Sequence, residues 1–307
     1  MSKMATLNLE RVTCTFPARG INAAYTAVAD VDLEVAEGEF VSVVGPTGCG
    51  KSTLLNVAAG LLAPTKGRVA VFGQNLQGIN ARAGYLFQNE ALMPWRTALQ
   101  NVTAGLEFRG VATAQALLQA TDWLKRVGLR AHGHKYPHEL SGGMRKRVAL
   151  AQTLILDPKI LLMDEPFAAL DVQTRSLMEN ELLNLWAQDR KSVMFVTHDL
   201  EEAISLSDRV VVMSAGPASR LIDEFAIDLP RPRDVAEIRL TPRFVELHKL
   251  IWTALRDEVK KAYASTTTSP QPSAALQVSP CPPEAERVCK SCRTILASLI
   301  TLSFSAF

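Results

Sequence analysis

The sequence predicts an α/β fold in which a buried sheet forms the core and a mostly helical segment is inserted. Short apolar runs that end in glycine or polar residues recur between longer stretches of helical periodicity, a pattern typical of strands buried on both faces. Between residues 92 and 140 these runs stop and helical sequence replaces them. We therefore expect a domain over residues 5–262, with a helical insertion at about 92–150. A shift to Ser, Thr and Pro predicts a disordered tail over residues 263–307.

Six apolar runs have the length and the β-branched content of strands. Each is bounded by glycine, proline or polar residues, which are typical of the turns between elements. The predicted strands cover residues 40–44, 68–72, 83–87, 160–163, 193–197 and 209–213.

Two longer stretches have apolar residues at helical spacing, so each is expected to pack one face against the core. In residues 115–127 the predicted face consists of Leu117, Leu118, Trp123, Leu124 and Val127. In residues 174–190 it consists of Leu177, Met178, Leu182, Leu185 and Trp186.

Composition and charge exclude several classes of protein. The 307 residues are 48% hydrophobic, which is enough for a large core. Lys and Arg number 33 against 31 acidic residues, so no charge excess favours binding to nucleic acid or an anionic bilayer. Residues 1–10 lack the apolar run of a secretory signal, and no stretch of about 20 apolar residues could span a membrane. The five cysteines form no disulfide framework, and we expect a cytosolic protein.

The strongest local signal is a glycine-rich segment between the strand at 40–44 and a helix-like stretch at 53–59. Its residues are Gly45, Pro46, Thr47, Gly48, Cys49, Gly50, Lys51, Ser52 and Thr53. This is the pattern of a P-loop in the strand–loop–helix setting that it requires. The backbone N–H groups can converge on phosphates, Lys51 can reach the terminal phosphates, and Ser52 can hold Mg²⁺. The segment therefore predicts a site for a nucleotide with Mg²⁺, although phosphate binding alone does not separate a kinase, a GTPase and a motor ATPase.

A second acidic motif lies at the end of the predicted strand 160–163. Asp164 follows this strand directly, where open α/β sheets place their ligands, and can bind Mg²⁺ through water. Glu165 comes next and can polarise the attacking water. Taken alone, the pair could also be a solvated strand end, but together with the P-loop it favours phosphoryl chemistry.

The segment Leu140-Ser141-Gly142-Gly143-Met144 lies about twenty residues before the acidic motif and opens a predicted helix. It resembles the signature of the ABC ATPase family, which usually ends in glutamine where this chain has Met144. The resemblance implies the ABC ATPase fold, a P-loop core with a helical subdomain. It also implies that Ser141, Gly142 and Gly143 face the γ-phosphate of an ATP held by the opposite subunit of a dimer, as helix N-termini bind anions.

Further motifs follow in the order of that family. Gln88, at the end of the strand 83–87, resembles the Q-loop glutamine that touches Mg²⁺ and the lytic water. His198, after the strand 193–197, resembles the switch histidine that contacts the γ-phosphate. With Glu165 as the residue that activates water, the resemblance implies three catalytic residues.

Two regions resemble the remaining contacts of the family. Ala169-Leu170-Asp171 is similar to the D-loop, which crosses between subunits and places Asp171 at the nucleotide. Phe16 is similar to the aromatic residue that stacks on adenine. Tyr25 is a second candidate, because an insertion-like stretch at 17–25 leaves the choice between them open.

The resemblance covers about residues 5–260 and extends to a subgroup. The segments 92–95 (Leu-Met-Pro-Trp), 144–147 (Met-Arg-Lys-Arg) and 229–233 (Leu-Pro-Arg-Pro-Arg) are similar to those of nitrate, sulfonate and taurine importers. The resemblance implies an ATPase subunit that works as a homodimer on the cytoplasmic face of the cell membrane. The partners would be transmembrane permease subunits and, indirectly, an extracytoplasmic solute-binding protein, with no nucleic acid.

Two other classes remain at this point. A soluble ABC ATPase could act on nucleic acid or ribosomes, but such proteins usually join two cassettes or insert long coiled coils, and neither is found here. A P-loop kinase is opposed by Ser141-Gly142-Gly143 and by His198.

Overall fold

The computed structural model describes residues 5–17, 24–168 and 170–268. The chain divides after Ala264 into two units, and only the end of one helix belongs to the described part of the second. The strands are β1 (Ala5–Phe16), β2 (Tyr25–Ala36), β3 (Phe40–Val44), β4 (Lys66–Val71), β5 (Gln74–Asn75), β6 (Ala83–Leu86), β7 (Ile160–Asp164), β8 (Ser192–Thr197), β9 (Arg209–Met213) and β10 (Leu221–Ala226). The helices are α1 (Lys51–Ala58), α2 (Ala98–Phe108), α3 (Thr113–Arg126), α4 (Gly142–Leu154), α5 (Val172–Asp189), α6 (Leu200–Leu206), α7 (Val235–Ile238) and α8 (Pro242–Thr268), with 3-10 turns at Arg130–His132 and Pro137–Glu139.

The central sheet has six strands in the order β10-β9-β3-β8-β7-β6. The five strands from β9 to β6 are parallel, and β10 joins the edge antiparallel to β9. Because their carboxyl ends meet at one edge, the residues that follow β3, β6, β7 and β8 are brought to the same side of the sheet. This α/β architecture confirms the predicted fold class.

A second sheet is antiparallel, in the order β2-β1-β4-β5. Its inner face shares one hydrophobic cluster with α1 and one face of the central sheet, to which Leu9, Leu54 and Val43 contribute. The other face of the central sheet packs on α4 and α5 through residues such as Met163, Leu182 and Trp186. The central sheet is therefore covered on both faces, as its continuous apolar strands require.

The helices between β6 and β7 have a hydrophobic cluster of their own. It combines α2, α3 and α4 through side chains that include Val102, Ala120, Leu124 and Val148. Helix α2 begins with a capping box in which Thr97 and Gln100 satisfy each other's backbone N–H groups. The helical segment thus packs as a layer beside the parallel sheet.

All six predicted strands are present, but one lies in a different sheet from the one expected. The strand predicted at 68–72 is β4, which is half exposed and pairs antiparallel with β1. The sequence did not indicate β1, β2, β5 or β10. In β1 and β2 buried side chains alternate with exposed ones, so these strands contain no continuous apolar run.

Both predicted helix faces were partly wrong. In α3 the buried residues are Ala116, Ala120 and Leu124, followed by Val127, whereas Leu118 is 74% exposed and Leu117 is also exposed. In α5 Leu177 is exposed, and Met178, Leu182 and Trp186 are buried as expected. The α3 error arises because the helix approaches its neighbours through alanines, whose small side chains allow close packing.

The Leu-Pro-Arg-Pro-Arg segment at 229–233 has a structural role at the end of α6. Arg233, which is buried, donates hydrogen bonds to the carbonyl oxygens of Ser205 and Ser207 at 3.0 and 2.8 Å. Arg231 donates to Leu206 O at 2.7 Å and pairs with Asp208. Burial lowers the pKa of Arg233 to about 10. The two arginines therefore satisfy carbonyl groups that the end of a helix leaves without partners.

Candidate active site

The P-loop connects the carboxyl end of β3 to the first residue of α1. Gly48 and Gly50 have φ values of +79° and +95°, a region that residues with a side chain rarely adopt. At Gly50 a β-carbon would also lie 2.5 Å from Val28 Cγ1. Helix α1 begins at Lys51 without a side-chain cap, so its first N–H groups are left to a ligand. The loop therefore has the backbone form that phosphate binding requires.

Lys51 is buried over the P-loop. Its Nζ donates hydrogen bonds to Gly45 O at 2.9 Å and to Pro46 O at 3.1 Å. The ammonium group is thus fixed against the loop rather than extended into solvent. Cys49 Sγ lies 4.0 Å from Nζ, and burial raises the pKa of that thiol.

Ser52 and Asp164 join the P-loop to the end of β7. Ser52 Oγ donates to Asp164 Oδ1 at 3.0 Å. Burial raises the pKa of Asp164, and the neighbouring Glu165 adds to this effect while the Ser52 hydroxyl opposes it. The hydroxyl and the carboxylate predicted to hold Mg²⁺ are therefore adjacent.

The backbone turns sharply at Glu165. Its φ is +42°, the left-handed region that costs a residue with a side chain about 1 kcal/mol or more. Glu165 N still donates to Val196 O at 2.8 Å, which fixes the residue to β8.

Three predicted catalytic side chains meet at one oxygen atom of Glu165. His198 Nδ1 lies 3.0 Å from Glu165 Oε2, and Gln88 Nε2 donates to the same oxygen at 3.5 Å. These residues follow β8, β7 and β6, which are neighbours in the sheet. We call Gln88, Glu165 and His198 the hydrolytic cluster. One carboxylate is thus held between an imidazole and an amide beside the Ser52–Asp164 pair.

The signature residues lie in a second group, which we call the signature face: Ser141, Gly142 and Gly143 together with Leu170 and Thr174. Ser141 is the N-cap of α4 and accepts a hydrogen bond from Met144 N at 3.3 Å. A β-carbon on Gly143 would lie 2.7 Å from Thr174 Cγ2, and one on Gly142 would lie 3.8 Å from Leu170 Cδ2. The start of α4 therefore packs closely against the segment before α5 and the first turn of that helix.

Asp171 is the N-cap of α5 beside the signature face. Its Oδ1 accepts a hydrogen bond from Thr174 N at 3.0 Å. This bond lowers the pKa of Asp171. Ala169, the first residue of the predicted D-loop, lies outside the described residues.

The two candidates for adenine stacking are paired with each other. Phe16 and Tyr25 are opposite residues at the end of the β1–β2 ladder, and both are exposed. A β-carbon on Gly216 would lie 3.5 Å from the Tyr25 hydroxyl and 3.4 Å from Gly48 O, so Tyr25 and the P-loop flank the same loop. Both candidate rings therefore lie at the same end of the second sheet.

The donors in this site fit a nucleotide with Mg²⁺. Hydroxyl and carboxylate oxygens are the ligands that Mg²⁺ prefers, and Ser52 and Asp164 supply one of each. Backbone N–H groups at the start of α1 and the Lys51 ammonium suit phosphate. Among the described residues no group of three or more His, Cys, Asp or Glu side chains forms another metal site.

Several residues around the site were not predicted. Tyr85 lies beside Asp164, and its hydroxyl contacts Asn56 Oδ1 at 3.2 Å. Lys146 Nζ donates to Gln88 O, 58 positions earlier. Arg175 Nη1 donates to Asp199 Oδ2 at 2.9 Å. Local sequence patterns cannot reveal partners at such separations, so only the fold identifies them.

Comparison with known proteins gives consistent matches. The family model described as ABC transporter matches residues 28–168. An uncharacterized ABC transporter ATP-binding protein of Methanocaldococcus jannaschii is 48% identical over 256 residues, covering 83% of this chain and 93% of the relative. The taurine import ATP-binding protein of Pseudomonas aeruginosa is 39% identical, covering 85% and 100%. The nitrate import ATP-binding protein NrtD of Synechococcus elongatus is 41% identical, covering 78% and 88%.

A solved structure gives the same result for the fold. The dimeric post-hydrolysis state of an ATP-binding cassette bound to ADP and Pi superposes with a TM-score of 0.64 at 31% identity. It covers 73% of this chain and 100% of the cassette. In residues 5–17, 24–168 and 170–268 we find no helix with the length and hydropathy that a membrane span needs.

Proposed function

Because this chain belongs to the ATP-binding proteins of ABC transporters, and is thus an ATPase, we propose that it powers the import of small solutes that carry an oxyanion group, such as nitrate, sulfonates or taurine. Relatives named for taurine and nitrate import support this choice of cargo. The ATPase subunit selects no cargo itself in such systems. Membrane subunits and an extracytoplasmic binding protein would do so.

The observation that carries the proposal is the arrangement around Glu165. Its Oε2 lies 3.0 Å from His198 Nδ1 and 3.5 Å from Gln88 Nε2, beside the Ser52–Asp164 pair. A carboxylate held in this way can take a proton from a water molecule and keep the water in line with a terminal phosphate. Its chemistry is hydrolysis rather than transfer to a second substrate.

Each residue of the site has a role in this reaction. The P-loop backbone and Lys51 bind the phosphates, while Phe16 or Tyr25 stacks on adenine. Ser52, Asp164 and Gln88 would hold Mg²⁺, which supplies charge neutralisation at the phosphates when bound. Glu165 activates water, and His198 holds both the Glu165 carboxylate and the γ-phosphate oxygens in position.

The signature face completes the site of a second copy. Ser141 lies at the N-terminus of α4, a position suited to a phosphate approaching from outside the chain. In a head-to-tail homodimer, Ser141, Gly142 and Gly143 of one chain would meet the γ-phosphate on the P-loop of the other, with Asp171 beside it. A similar cassette is dimeric with ADP and Pi, which supports this arrangement.

We place the permease contact beside the hydrolytic cluster. A groove of about 250 Å³ lies between β6, the loop from Phe87 to Ala91 and α4. Trp95, a few residues further along the same connection, is 67% exposed. Exposed aromatic side chains next to a groove are typical of protein contact surfaces. A cytoplasmic helix of a permease subunit would bind there, holding the ATPase domain of residues 5–262, with its insertion at about 92–150, at the cytoplasmic face of the membrane.

Glu165→Gln tests the catalytic assignment. Glutamine keeps the size of the side chain but cannot accept the proton, so we expect turnover to fall by about 100-fold or more while ATP still binds. ATP binding at equilibrium and phosphate release would be measured on the purified chain. The matched control is Glu246→Gln, an exposed glutamate on α8. A Glu165→Gln protein with more than about 5% of parent turnover would remove Glu165 from the catalytic role.

Uptake tests the proposed cargo. Cells that lack this chain should lose ATP-dependent uptake of labelled nitrate, an alkanesulfonate or taurine, and the wild-type gene should restore it. The Glu165→Gln gene should restore protein at the membrane without uptake. Unchanged uptake of all three solutes in the deletion strain would reject this class of cargo.

A further inference from the structure

Arg175 joins the signature face to the segment that contains His198. It lies in the first turn of α5. Its Nη2 donates to Leu170 O at 3.2 Å, and its Nη1 donates to Asp199 Oδ2 at 2.9 Å. One guanidinium group therefore bonds to the backbone of the predicted D-loop and to the residue that follows His198.

Both neighbours of His198 are fixed by the same group of side chains. Asp199 Oδ1 caps α6 by accepting from Glu201 N at 2.8 Å, while its Oδ2 accepts from Arg175. On the other side, Thr197 Oγ1 donates to Glu202 Oε2 at 2.7 Å and accepts from Asp199 N at 3.0 Å. Since Thr197 and Asp199 flank His198 in sequence, these bonds set where its ring can lie.

The charge of Arg175 also compensates a buried carboxylate. Glu202 is 2% exposed, and its Oε1 lies 3.6 Å from Arg175 Nε. Burial raises the pKa of Glu202 to about 7. A cation here favours the ionised form. Without Arg175, the Glu202 carboxylate that accepts from Thr197 would have no positively charged partner on α5.

We propose that Arg175 is a positioning residue that fastens the predicted D-loop to the His198 segment, so that His198 is held against Glu165 only while the signature face is in place. The proposal rests on the function proposed above, in which His198 and Glu165 belong to the hydrolytic cluster. It adds a connection within one chain between the surface that meets the partner subunit and the cluster that hydrolyses ATP.

Arginine suits this position better than lysine. Its planar fork carries donors in several directions, so it bonds to Leu170 O and Asp199 Oδ2 together while facing Glu202. A lysine ammonium could balance the charge of Glu202 but could not hold both other partners in the same geometry. The two residues should therefore differ in turnover rather than in folded stability.

The test compares three single variants of the full chain. Arg175→Met removes the donors and the charge, and Arg175→Lys keeps the charge alone. Asp199→Asn keeps a side-chain oxygen to cap α6 but loses the acceptor for Arg175. We expect each to lower kcat by about 5-fold or more, with the dissociation constant for ATP within about 2-fold of the parent value. Arg175→Lys and Asp199→Asn should keep the parent Tm, so they carry the test if Arg175→Met does not fold.

A double variant distinguishes a positioning role from independent effects of the two substitutions on turnover. If Arg175 acts through Asp199, the Arg175→Lys/Asp199→Asn protein should have a kcat no lower than that of the slower single variant. Parent kcat in Arg175→Lys, or losses that multiply in the double variant, would overturn the proposal. Arg243→Met, which removes an arginine paired with Asp228 on the surface, is the matched control and should keep parent kcat.

The experiments distinguish a failure of the proposed function from a failure of the positioning role of Arg175. If Glu165→Gln keeps parent turnover, the assignment of the hydrolytic cluster is wrong whatever Arg175 does. If Glu165→Gln is inactive and the Arg175 variants keep parent kcat, only the positioning role is lost.

Discussion

At the scale of single residues, two buried glutamates lie behind the His198 segment. Glu179 on α5 is fully buried and accepts from Arg239 Nη2 at 3.0 Å. Glu202 on α6 is almost as deeply buried. Burial raises the pKa of each to about 7, against an ordinary value near 4.3. The negative charges of Glu202 and Asp199 add to the effect on Glu179, and that of Asp199 adds to the effect on Glu202. Their charges therefore oppose folding above neutral pH more than below it.

We predict that the stability of the protein falls as pH rises from 5 to 8. The folded state holds these protons more tightly than the unfolded state, so their contribution is complete below the unfolded pKa and is lost through about pH 7. The raised pKa of Glu179 corresponds to at most about 4 kcal/mol. Glu179→Gln should weaken the pH dependence, as measured by urea unfolding across this range.

The control for this prediction is Glu201→Gln, because Glu201 faces the same Arg239 at 3.5 Å but is exposed. It should keep the pH dependence of the parent protein. An unchanged slope in Glu179→Gln would mean that Glu179 does not titrate in this range.

The sequence predicts the site residues on the P-loop, at the strand ends and in the signature, because each of them lies in a short motif that is typical of nucleotide-binding proteins. The residues that position these site residues through hydrogen bonds could not be predicted. Arg175 and Asp199 are 24 positions apart, and Lys146 reaches the backbone of Gln88 from another helix. An arginine in the first turn of a helix has many surface uses, so its sequence gives no sign of such partners.

At the scale of secondary structure, α3 provides a direct test of which helix face is buried. The structure buries Ala116 and Ala120 against α2 and α4 and exposes Leu118. Ala120→Leu should therefore destabilise the protein by about 1–3 kcal/mol through overpacking. Leu118→Gln, which keeps a good helix former, should change the free energy of unfolding by less than about 0.5 kcal/mol.

Chemical unfolding of both variants would decide between the two faces. If Leu118→Gln proves the more damaging substitution, the face predicted from the leucines is the buried one.

The strands and the α3 helix show what hydrophobic patterning can and cannot indicate. Residues 40–44, 160–163 and 193–197 are predictable because strands covered on both faces are continuously apolar. In strand β1 the partly exposed Glu10 and the exposed Arg11 interrupt the buried positions, and β10 is largely exposed, so neither strand differs clearly from a loop. Helix faces based on alanine are missed when leucine is taken as the main signal of burial.

At the scale of the whole molecule, we predict that each ATP site is shared between two chains. Lys51→Ala removes the phosphate contact on one side, and Ser141→Arg blocks the signature on the other. A mixed dimer with one lesion in each chain should then have one site with both lesions and one intact site. Both homodimers of the variants should fail to occlude ATP, while purified mixed dimers should occlude about one ATP each.

Occlusion is the better measurement here, since coupling between sites could silence turnover even at the intact one. The two variant homodimers, in which every site carries one lesion, serve as the control. If mixed dimers occlude no ATP, each site is confined to one chain or the dimer requires the membrane subunits to form.

The strand order of the central sheet has a consequence for synthesis on the ribosome. Strand β3, which is wholly buried, lies between β8 and β9 in the central sheet, and β8 emerges about 150 residues later. At ordinary translation rates of about 5–20 residues per second, the segment Phe40–Val44 waits about 7–30 seconds for its first partner. During that interval a flat, uncharged apolar strand is available to other nascent chains, so we expect this protein to depend on chaperones that bind such segments until its last third has been made.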